Sequence, residues 1–210
     1  MASESDPELL ISHTLRICGF VDTDVIADAA GFAADEVEAT LRAMEERGHA
    51  RYREGRMSGW MLTPDGRIAG EQLLAAELDA AGARATVQSG YAAFLELNHD
   101  MLGVCTAWQM REVGGEQQVN DHADADYDAG VVGRLAAIDA EVQPICAGLA
   151  GALDRFAGYD RRFAASLDKV RNGEVDWFTK PMIDSYHTIW FELHEDFLAT
   201  LGLDRTSEAT

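Results

Sequence analysis

The sequence predicts a mainly α-helical protein that carries one small β-hairpin, with a first domain at residues 1–80 and an all-helical second domain at residues 81–210. Three observations predict this class. Apolar residues recur at helical spacing along most of the chain. One short stretch, RYREGRMSGWMLTPDG at residues 51–66, breaks that rhythm with alternation, glycines and a serine. Beyond about residue 84, no segment shows the alternation typical of a strand.

Three helices are predicted before the hairpin, and each has recognisable ends. They are PELLISHTLRIC, DTDVIADAAG and AADEVEATLRAMEERG, at residues 7–18, 22–31 and 33–48. A proline suits the first turn of the first helix, and Gly31 and Gly48 end the second and the third. Val37, Leu41 and Met44 recur at spacings of four and three, which predicts the buried face of the third helix.

The hairpin itself is predicted at residues 49–63, with HARYR and WMLT as strands and EGRMSG as the tip. Thr63 then caps a fourth helix, PDGRIAGEQLLAAEL, and a proline stands at its first turn. The inner face of this helix is predicted to consist of its large aliphatic residues, namely Ile68, Leu73, Leu74 and Leu78.

The second domain is predicted to contain four or five helices. Residues 83–110 continue or follow the fourth helix, whereas REVGGEQQVNDHADAD at residues 111–126 is polar and glycine-paired and is predicted to be a loop. Residues 127–159 predict a long helix that Pro144 kinks or divides. A shorter helix at residues 160–173 and a final one from Pro181 to Gly202 complete the domain.

The charge of the chain is strongly acidic, with one local exception. The formal net charge is −20, which predicts that the molecule as a whole repels nucleic acid and anionic membranes. The segment from residue 47 to residue 67 instead carries five arginines against two acids, namely Arg47, Arg51, Arg53, Arg56 and Arg67 against Glu54 and Asp65. This basic segment coincides with the hairpin.

Other features exclude membrane and export classes. The chain opens with MASESDPELL, which has acids in place of the basic and apolar segments of an export signal. Its longest uncharged apolar run, VQPICAGLAGAL at residues 142–153, is far shorter than the ~20 residues of a membrane span. We therefore expect a cytoplasmic protein that does not bind membranes.

Motifs for catalysis and for metal binding are lacking. The three cysteines are widely separated, so each is expected to be a buried, reduced thiol. The sequence has neither a G-x-S-x-G elbow nor a glycine-rich phosphate loop. His187 and His194 can share a face of the last helix, but an H-E-x-x-H pattern and matching ligands on a second helix are missing. We expect no enzyme activity, no cofactor and no metal.

The order of helix, helix, helix, hairpin and helix resembles a winged helix-turn-helix domain. LRAMEERGHARYREGRMSGWMLTPDGR at residues 41–67 is similar to the end of the recognition helix, the wing and the L-T-x-x-G helix start of the MarR-type bacterial regulators. The resemblance covers about residues 8–80, and the whole chain also resembles a group of actinobacterial transcriptional regulators with a helical C-terminal domain. It implies a homodimer that binds double-stranded DNA, with its third helix in the major groove and its wing on the phosphates or in the minor groove.

For this function the candidate DNA-binding residues are those of the hairpin and of the third helix, namely Arg42, Arg51, Arg53, Arg56 and Ser58. The hairpin arginines are alternatively only a solvated surface. The third helix also offers Asp35, Glu36 and Glu38 to a duplex; carboxylates repel phosphates, although an acid can accept a hydrogen bond from cytosine N4. The alternative function is a non-DNA-binding winged-helix module that docks a partner protein or enzyme.

The second domain is expected to form the dimer, together with the linker helix, and its aromatic residues suggest a binding site. A cavity for a small apolar or aromatic effector is predicted there. Its candidate lining residues are Trp108, Asp184, Tyr186, His187 and Trp190. Such aromatic clusters are more often core, and this alternative remains open at the level of the sequence.

Overall fold

The structure, a computed structural model, describes residues 5–55 and 58–203 and is mainly helical, with 71% of it in helices. The chain forms two compact units. The first unit comprises residues 1–84, 153–155 and 195–210, and the second comprises residues 85–152 and 156–194. The first unit includes two short segments from the C-terminal half of the chain, which the sequence did not indicate.

The N-terminal part of the first unit runs α1 (Pro7–Cys18), α2 (Thr23–Ala30), α3 (Ala34–Glu46), β1 (Ala50–Arg53), β2 (Gly59–Leu62) and α4 (Pro64–Ala80). The predicted helix signals operate here. The Asp6 side chain accepts a hydrogen bond from the backbone N–H of Glu8 at 2.8 Å, ahead of Pro7. Gly31 ends α2 in the left-handed conformation, with a φ of 75°.

The core of the first unit lies between α1, α2, α3 and the hairpin. It contains the predicted buried face of α3, together with apolar residues of α1, α2 and the strands. Its members include Ile11, Leu15, Ile26, Val37, Leu41, Met44, Ala50 and Trp60. Trp60 is fully buried, so this strand residue anchors the hairpin to the helices.

The hairpin pairs β1 and β2 in antiparallel register, with Arg51 opposite Met61 and Tyr52 opposite Trp60. A third chain segment joins it, because Val21 and Trp60 exchange backbone hydrogen bonds of 3.2 and 2.8 Å. Gly59 allows this close approach: a Cβ atom there would lie 2.9 Å from the carbonyl oxygen of Val21.

Helix α4 begins as predicted, since the Thr63 side chain accepts a hydrogen bond from the N–H of Gly66 at 3.0 Å. Its predicted inner face is only partly correct. Leu74 is buried, as is Leu78, but Ile68 is 55% exposed and Leu73 is half-buried. Gly66 and Gly70 occupy the buried positions instead, and a Cβ atom on Gly66 would lie 1.8 Å from the carbonyl oxygen of His49. Close backbone packing therefore sets the buried row of α4.

A cluster of buried charges lies within the first unit. Arg155 Nε donates to Glu77 Oε2 at 2.8 Å, its Nη1 donates to Asp196, and its Nη2 donates to Thr200 at 2.6 Å. His13 Nε2 lies 3.0 Å from Asp196 Oδ1. The Arg155 and Asp196 side chains are 1% and 2% exposed. This cluster ties residues near the C-terminus to α1 and α4.

In chain order, the remaining elements are α5 (Arg84–Gln109), β3 (Met110–Val113), β4 (Glu116–Val119), α6 (Ala125–Ala152), α7 (Tyr159–Arg171), α8 (Asp176–Thr179) and α9 (Tyr186–Leu201), with a 3-10 turn at Asp154–Phe156. The prediction of an all-helical second domain is wrong at one place. Residues 110–119 form a β-hairpin that turns at Gly114 and Gly115. Its strands are largely exposed, so their sequence lacks the apolar alternation that would have predicted them.

Two helix boundaries in this half also differ from expectation. Helix α6 continues through Pro144, so the predicted alternative of a division at this residue is wrong. The last helix begins at Tyr186, five residues later than the predicted start at Pro181. No helix within the described ranges 5–55 and 58–203 has the length and apolarity required to cross a bilayer.

Candidate nucleic-acid interface

The exposed side of β1 carries two arginines, Arg51 and Arg53, that form no ion pair with a described residue. Strand alternation places Arg51 and Arg53 on the side of the hairpin opposite to Tyr52 and Trp60. Tyr52 packs edge-on against Trp60, with ring centroids 5.3 Å apart. Both arginines are exposed, and neither forms an ion pair with any residue that the structure describes.

Most arginines nearby are already paired. Arg16 lies 2.9 Å from Glu71, and Arg47 lies 2.6 Å from Glu8. Arg67, on the first turns of α4, is exposed and has no ion pair within the described part of the chain. Among the described residues around the hairpin, the arginines without an ion pair are therefore Arg51, Arg53 and Arg67.

Arg42, which the sequence predicts to contact DNA, forms hydrogen bonds to two carboxylates of its own helix. Its Nε donates to Glu38 Oε1 and its Nη1 to Glu45 Oε2, both at 2.9 Å. The hydrogen bond to Glu45, followed by the charge of Glu38, raises the pKa of Arg42 above its usual value. The guanidinium also stands 4.9 Å from the centre of the Trp60 ring. Arg42 is thus held by two carboxylates and an indole.

Each of these carboxylates has a second partner. The Trp60 indole N–H donates to the Thr23 hydroxyl at 3.2 Å, and that hydroxyl donates to Glu38 Oε2 at 2.9 Å. The backbone N–H of Tyr52 donates to Glu45 Oε1 at 3.4 Å. The sequence did contain a signal for the Arg42 contacts, because Glu38 and Glu45 stand four residues before it and three residues after it on one helix face.

The remaining predicted contacts lie at the tip of the hairpin. Ser58 is half-buried, and its hydroxyl donates to the carbonyl oxygen of Gly55 at 3.3 Å. This bond joins the two sides of the tip and leaves the hydroxyl oxygen as an acceptor. Arg56 lies outside the residues that the structure describes, so its predicted contact with DNA stays a prediction.

The surface of α2 and α3 is acidic. From residue 22 to residue 46 the chain carries one basic residue, Arg42, and eight acids: Asp22, Asp24, Asp28, Asp35, Glu36, Glu38, Glu45 and Glu46. Six of these acids are exposed and the other two are the partners of Arg42. The face that would meet the major groove therefore opposes phosphate, in agreement with the conflict visible in the sequence.

The residues predicted to line an effector site in the second unit include two buried aromatic side chains, Tyr186 and Trp190. Trp190 and Tyr186 are buried, and they pack on Phe94 and Phe163 with ring centroids 4.4 and 4.8 Å apart. Burial, followed by the charge of Asp139, raises the pKa of Tyr186 far above its usual value. The aromatic residues therefore fill the core, which was the open alternative.

The other members of that predicted site lie in different surroundings. Trp108 packs on Phe178 and on His122, with ring centroids 4.6 and 4.4 Å apart. Asp184 is exposed and pairs with Arg162 at 2.9 Å, and His187 is exposed. Of the five residues, Tyr186 and Trp190 lie together, with ring centroids 6.5 Å apart and both rings on Phe163.

The residues that the structure describes form no metal site, and two of the three cysteines are buried. No group of three histidine, cysteine or carboxylate side chains there is arranged to hold a metal ion. Burial raises the pKa of the Cys105 thiol to about 12, and that of Cys146 likewise. Cys18 is exposed, contrary to the expectation that all three thiols are buried.

The exposed arginines of the hairpin can neutralise and hydrogen-bond an anionic oxygen, and phosphate is the ligand that guanidinium groups fit best. Arg51 and Arg53 stand two residues apart on one strand, so they can track successive groups of an extended polyanion. Known proteins add no assignment to this surface, because the chain has no significant match among protein-family models, curated proteins or solved structures.

Proposed function

We propose that the first unit is a winged-helix DNA-binding domain and that the protein is a transcriptional regulator acting on double-stranded DNA. The observation that carries this proposal is the pair of exposed arginines on β1, Arg51 and Arg53, which have no carboxylate partner among the described residues although the chain is highly acidic. Retaining unpaired positive charge at one place on an acidic molecule suits a polyanionic partner.

The winged-helix interpretation is supported by the order α1, α2, α3, β1, β2 and α4 and by the backbone bonds between Val21 and Trp60. These bonds give the hairpin a third, short segment that comes from between α1 and α2. In a domain of this kind the hairpin is the wing, and its arginines contact phosphates beside the groove that the third helix faces.

The charges also suggest how the duplex is held. The wing supplies positive charge at Arg51 and Arg53, whereas α3 carries mainly carboxylates. We therefore propose that phosphate contacts of the wing provide most of the affinity, and that α3 approaches the groove only where a base donates a hydrogen bond, as cytosine N4 does. Weak non-specific binding follows, because the rest of the molecule repels DNA.

Binding should be measured by fluorescence anisotropy over a range of salt concentrations, with a duplex from the promoter of the protein's own operon and a scrambled duplex. Replacing Arg51 and Arg53 together by alanine removes two phosphate contacts, so the slope of log K against log salt should fall by about two. The matched control is R161A with R171A, two exposed arginines of the second unit, and its slope should equal that of the wild type. An unchanged slope in R51A/R53A would contradict the proposal.

A second candidate function is a winged-helix module that docks a partner protein or enzyme and does not bind DNA. The acidic surface of α2 and α3 favours it, together with Val25, which is 47% exposed within that surface. A basic protein surface would complement these charges. Absence of duplex binding at low salt, combined with capture of a basic partner that D24N/D28N releases, would favour this function over DNA binding.

The resemblance also implies a homodimer, and we keep this as part of the proposal. Helix-turn-helix dimers bind two half-sites about one helical turn apart, so a dimer predicts a palindromic operator. Sedimentation at micromolar concentration measures the mass directly. A mass of 22.9 kDa, that of the single chain, would contradict the dimer.

A further inference from the structure

We infer that Glu38 and Glu45 restrain duplex binding by holding the guanidinium of Arg42, so that these two carboxylates, and not Arg42 itself, set what α3 contributes to DNA affinity. The inference rests on the proposed function. It assigns a role to two acids that otherwise look like ordinary surface residues of a helix.

The first step of the argument is geometric. Arg42 is the only basic residue between residues 22 and 46, and its side chain is 54% exposed. Its Nε and Nη1 are both engaged, at 2.9 Å, by carboxylates on the preceding and the following turn of α3. Such pairs at spacings of four and three are the ones that helix geometry favours.

The second step concerns how firmly the acceptors are fixed. Glu38 accepts a second hydrogen bond from the Thr23 hydroxyl on α2, and Glu45 accepts one from the backbone of Tyr52 on β1. Trp60 supports the same group from β2, because its ring lies under the guanidinium. Neighbouring elements therefore help to hold both glutamates beside Arg42.

The third step is electrostatic. Two carboxylates and one guanidinium leave a net charge of −1 at the centre of the α3 surface. A phosphate approaching Arg42 meets both glutamates, and it must displace at least one of them to obtain a bidentate contact. In the wild type Arg42 thus contributes little attraction, whereas without the glutamates it would add one phosphate contact.

The expected sizes follow from counterion release. One additional phosphate contact makes the slope of log K against log salt steeper by about 0.9. Between about 50 and about 200 mM salt, this increment changes affinity by about 3.5-fold beyond the change seen for the wild type. The E38Q/E45Q variant should therefore bind DNA more tightly at low salt and lose that gain as salt rises.

The experiment compares four full-length proteins by anisotropy: wild type, E38Q/E45Q, E36Q/E46Q and R42A. Glu36 and Glu46 lie on the same helix and are exposed, and neither contacts Arg42 in the structure, so E36Q/E46Q removes the same charge without freeing the guanidinium. The inference expects a slope steeper by about one in E38Q/E45Q than in E36Q/E46Q, and a wild-type slope in R42A. Adding R42A to E38Q/E45Q should abolish the increment.

Two results would overturn the inference while leaving the proposed function standing. One is an equal slope in the two glutamine variants; the other is a slope lower by about one in R42A alone, which would mean that Arg42 already contacts phosphate. Absence of DNA binding by the wild type would overturn the proposed function and this inference with it.

A second measurement covers the case in which E38Q/E45Q does not fold. In E38Q the bond between Arg42 Nη1 and Glu45 is retained, and the signal of the Nε–H that Glu38 holds in the wild type can be followed by NMR. The inference expects that duplex DNA shifts this signal in E38Q and not in the wild type. A shift of equal size in both proteins would overturn it.

Discussion

Arg155 is the residue whose loss should most weaken the first unit. Its guanidinium lies 2.8 Å from Glu77 Oε2 and also contacts Asp196, and these two carboxylates are 7% and 2% exposed. Replacing Arg155 by methionine keeps the bulk of the side chain but removes a cationic partner from two buried carboxylates, while His13 Nε2 still lies 3.0 Å from Asp196 Oδ1. Breaking a buried ion pair from one side typically costs about 3–5 kcal/mol.

The Coulomb energy of the contacts gives a similar size. Two unit charges 4 Å apart attract each other by about 4 kcal/mol at the effective dielectric constant of about 20 that suits protein sites. Removing Arg155 also removes the free-energy cost of burying its own charge. This gain offsets part of the two attractions that are lost. We therefore expect the free energy of unfolding of R155M to fall by about 3–5 kcal/mol.

Urea denaturation followed by circular dichroism at pH 7 measures this loss, and an unchanged m value would show that the unfolded states are comparable. R161M, at an exposed arginine, is the control and should change the free energy of unfolding by less than about 0.5 kcal/mol. The triple variant E77Q/R155M/D196N carries no uncompensated buried carboxylate and should regain much of the loss. A loss below about 1 kcal/mol in R155M would refute this account of the cluster.

Two further predictions concern the same unit. Burial alone would raise the pKa of Asp196, but His13 and Arg155 lower it from 3.8 to about 2. Asp196 therefore contributes about 2 kcal/mol of stability above pH 4 that is lost as the pH falls toward 2, and the stability difference between wild type and D196N should shrink over that interval; a constant difference would contradict it. G66A should cost at least about 3 kcal/mol because its Cβ would meet the carbonyl of His49, whereas G148A, in open space on α6, should be neutral or stabilising by up to about 1 kcal/mol; equal unfolding midpoints would contradict this.

The elements that the sequence predicted well are those with local signals. Pro7 after Asp6, Gly31 in the left-handed conformation and Thr63 bonded to Gly66 each act within a few residues of the helix end that they define. The same holds for the buried row of α3, which depends only on helical spacing. Local chemistry was sufficient there.

Other features were missed because they depend on contacts between residues far apart in the chain, whereas the hairpin at residues 110–119 was missed for a local reason. Ile68 is exposed because α4 turns Gly66, and not Ile68, toward the backbone of His49. His49 lies 17 positions before Gly66 in the chain. Arg155 lies among partners 78 and 41 positions away, and nothing near it in the sequence indicates a buried charge. The hairpin at residues 110–119 lacks the apolar alternation that identifies a strand, because it buries little of either face.

The candidate site was predictable as a set of residues but not as a set of charges. The composition of residues 47–67 indicated a local excess of positive charge at the hairpin, whereas Arg42 was a candidate because of its position on the third helix. The structure separates Arg42, held by Glu38 and Glu45, from Arg51 and Arg53, which have no ion pair among the described residues. A neighbouring carboxylate offsets part of the attraction between a guanidinium and a phosphate, so Arg51 and Arg53 are stronger candidates than Arg42 for phosphate contacts.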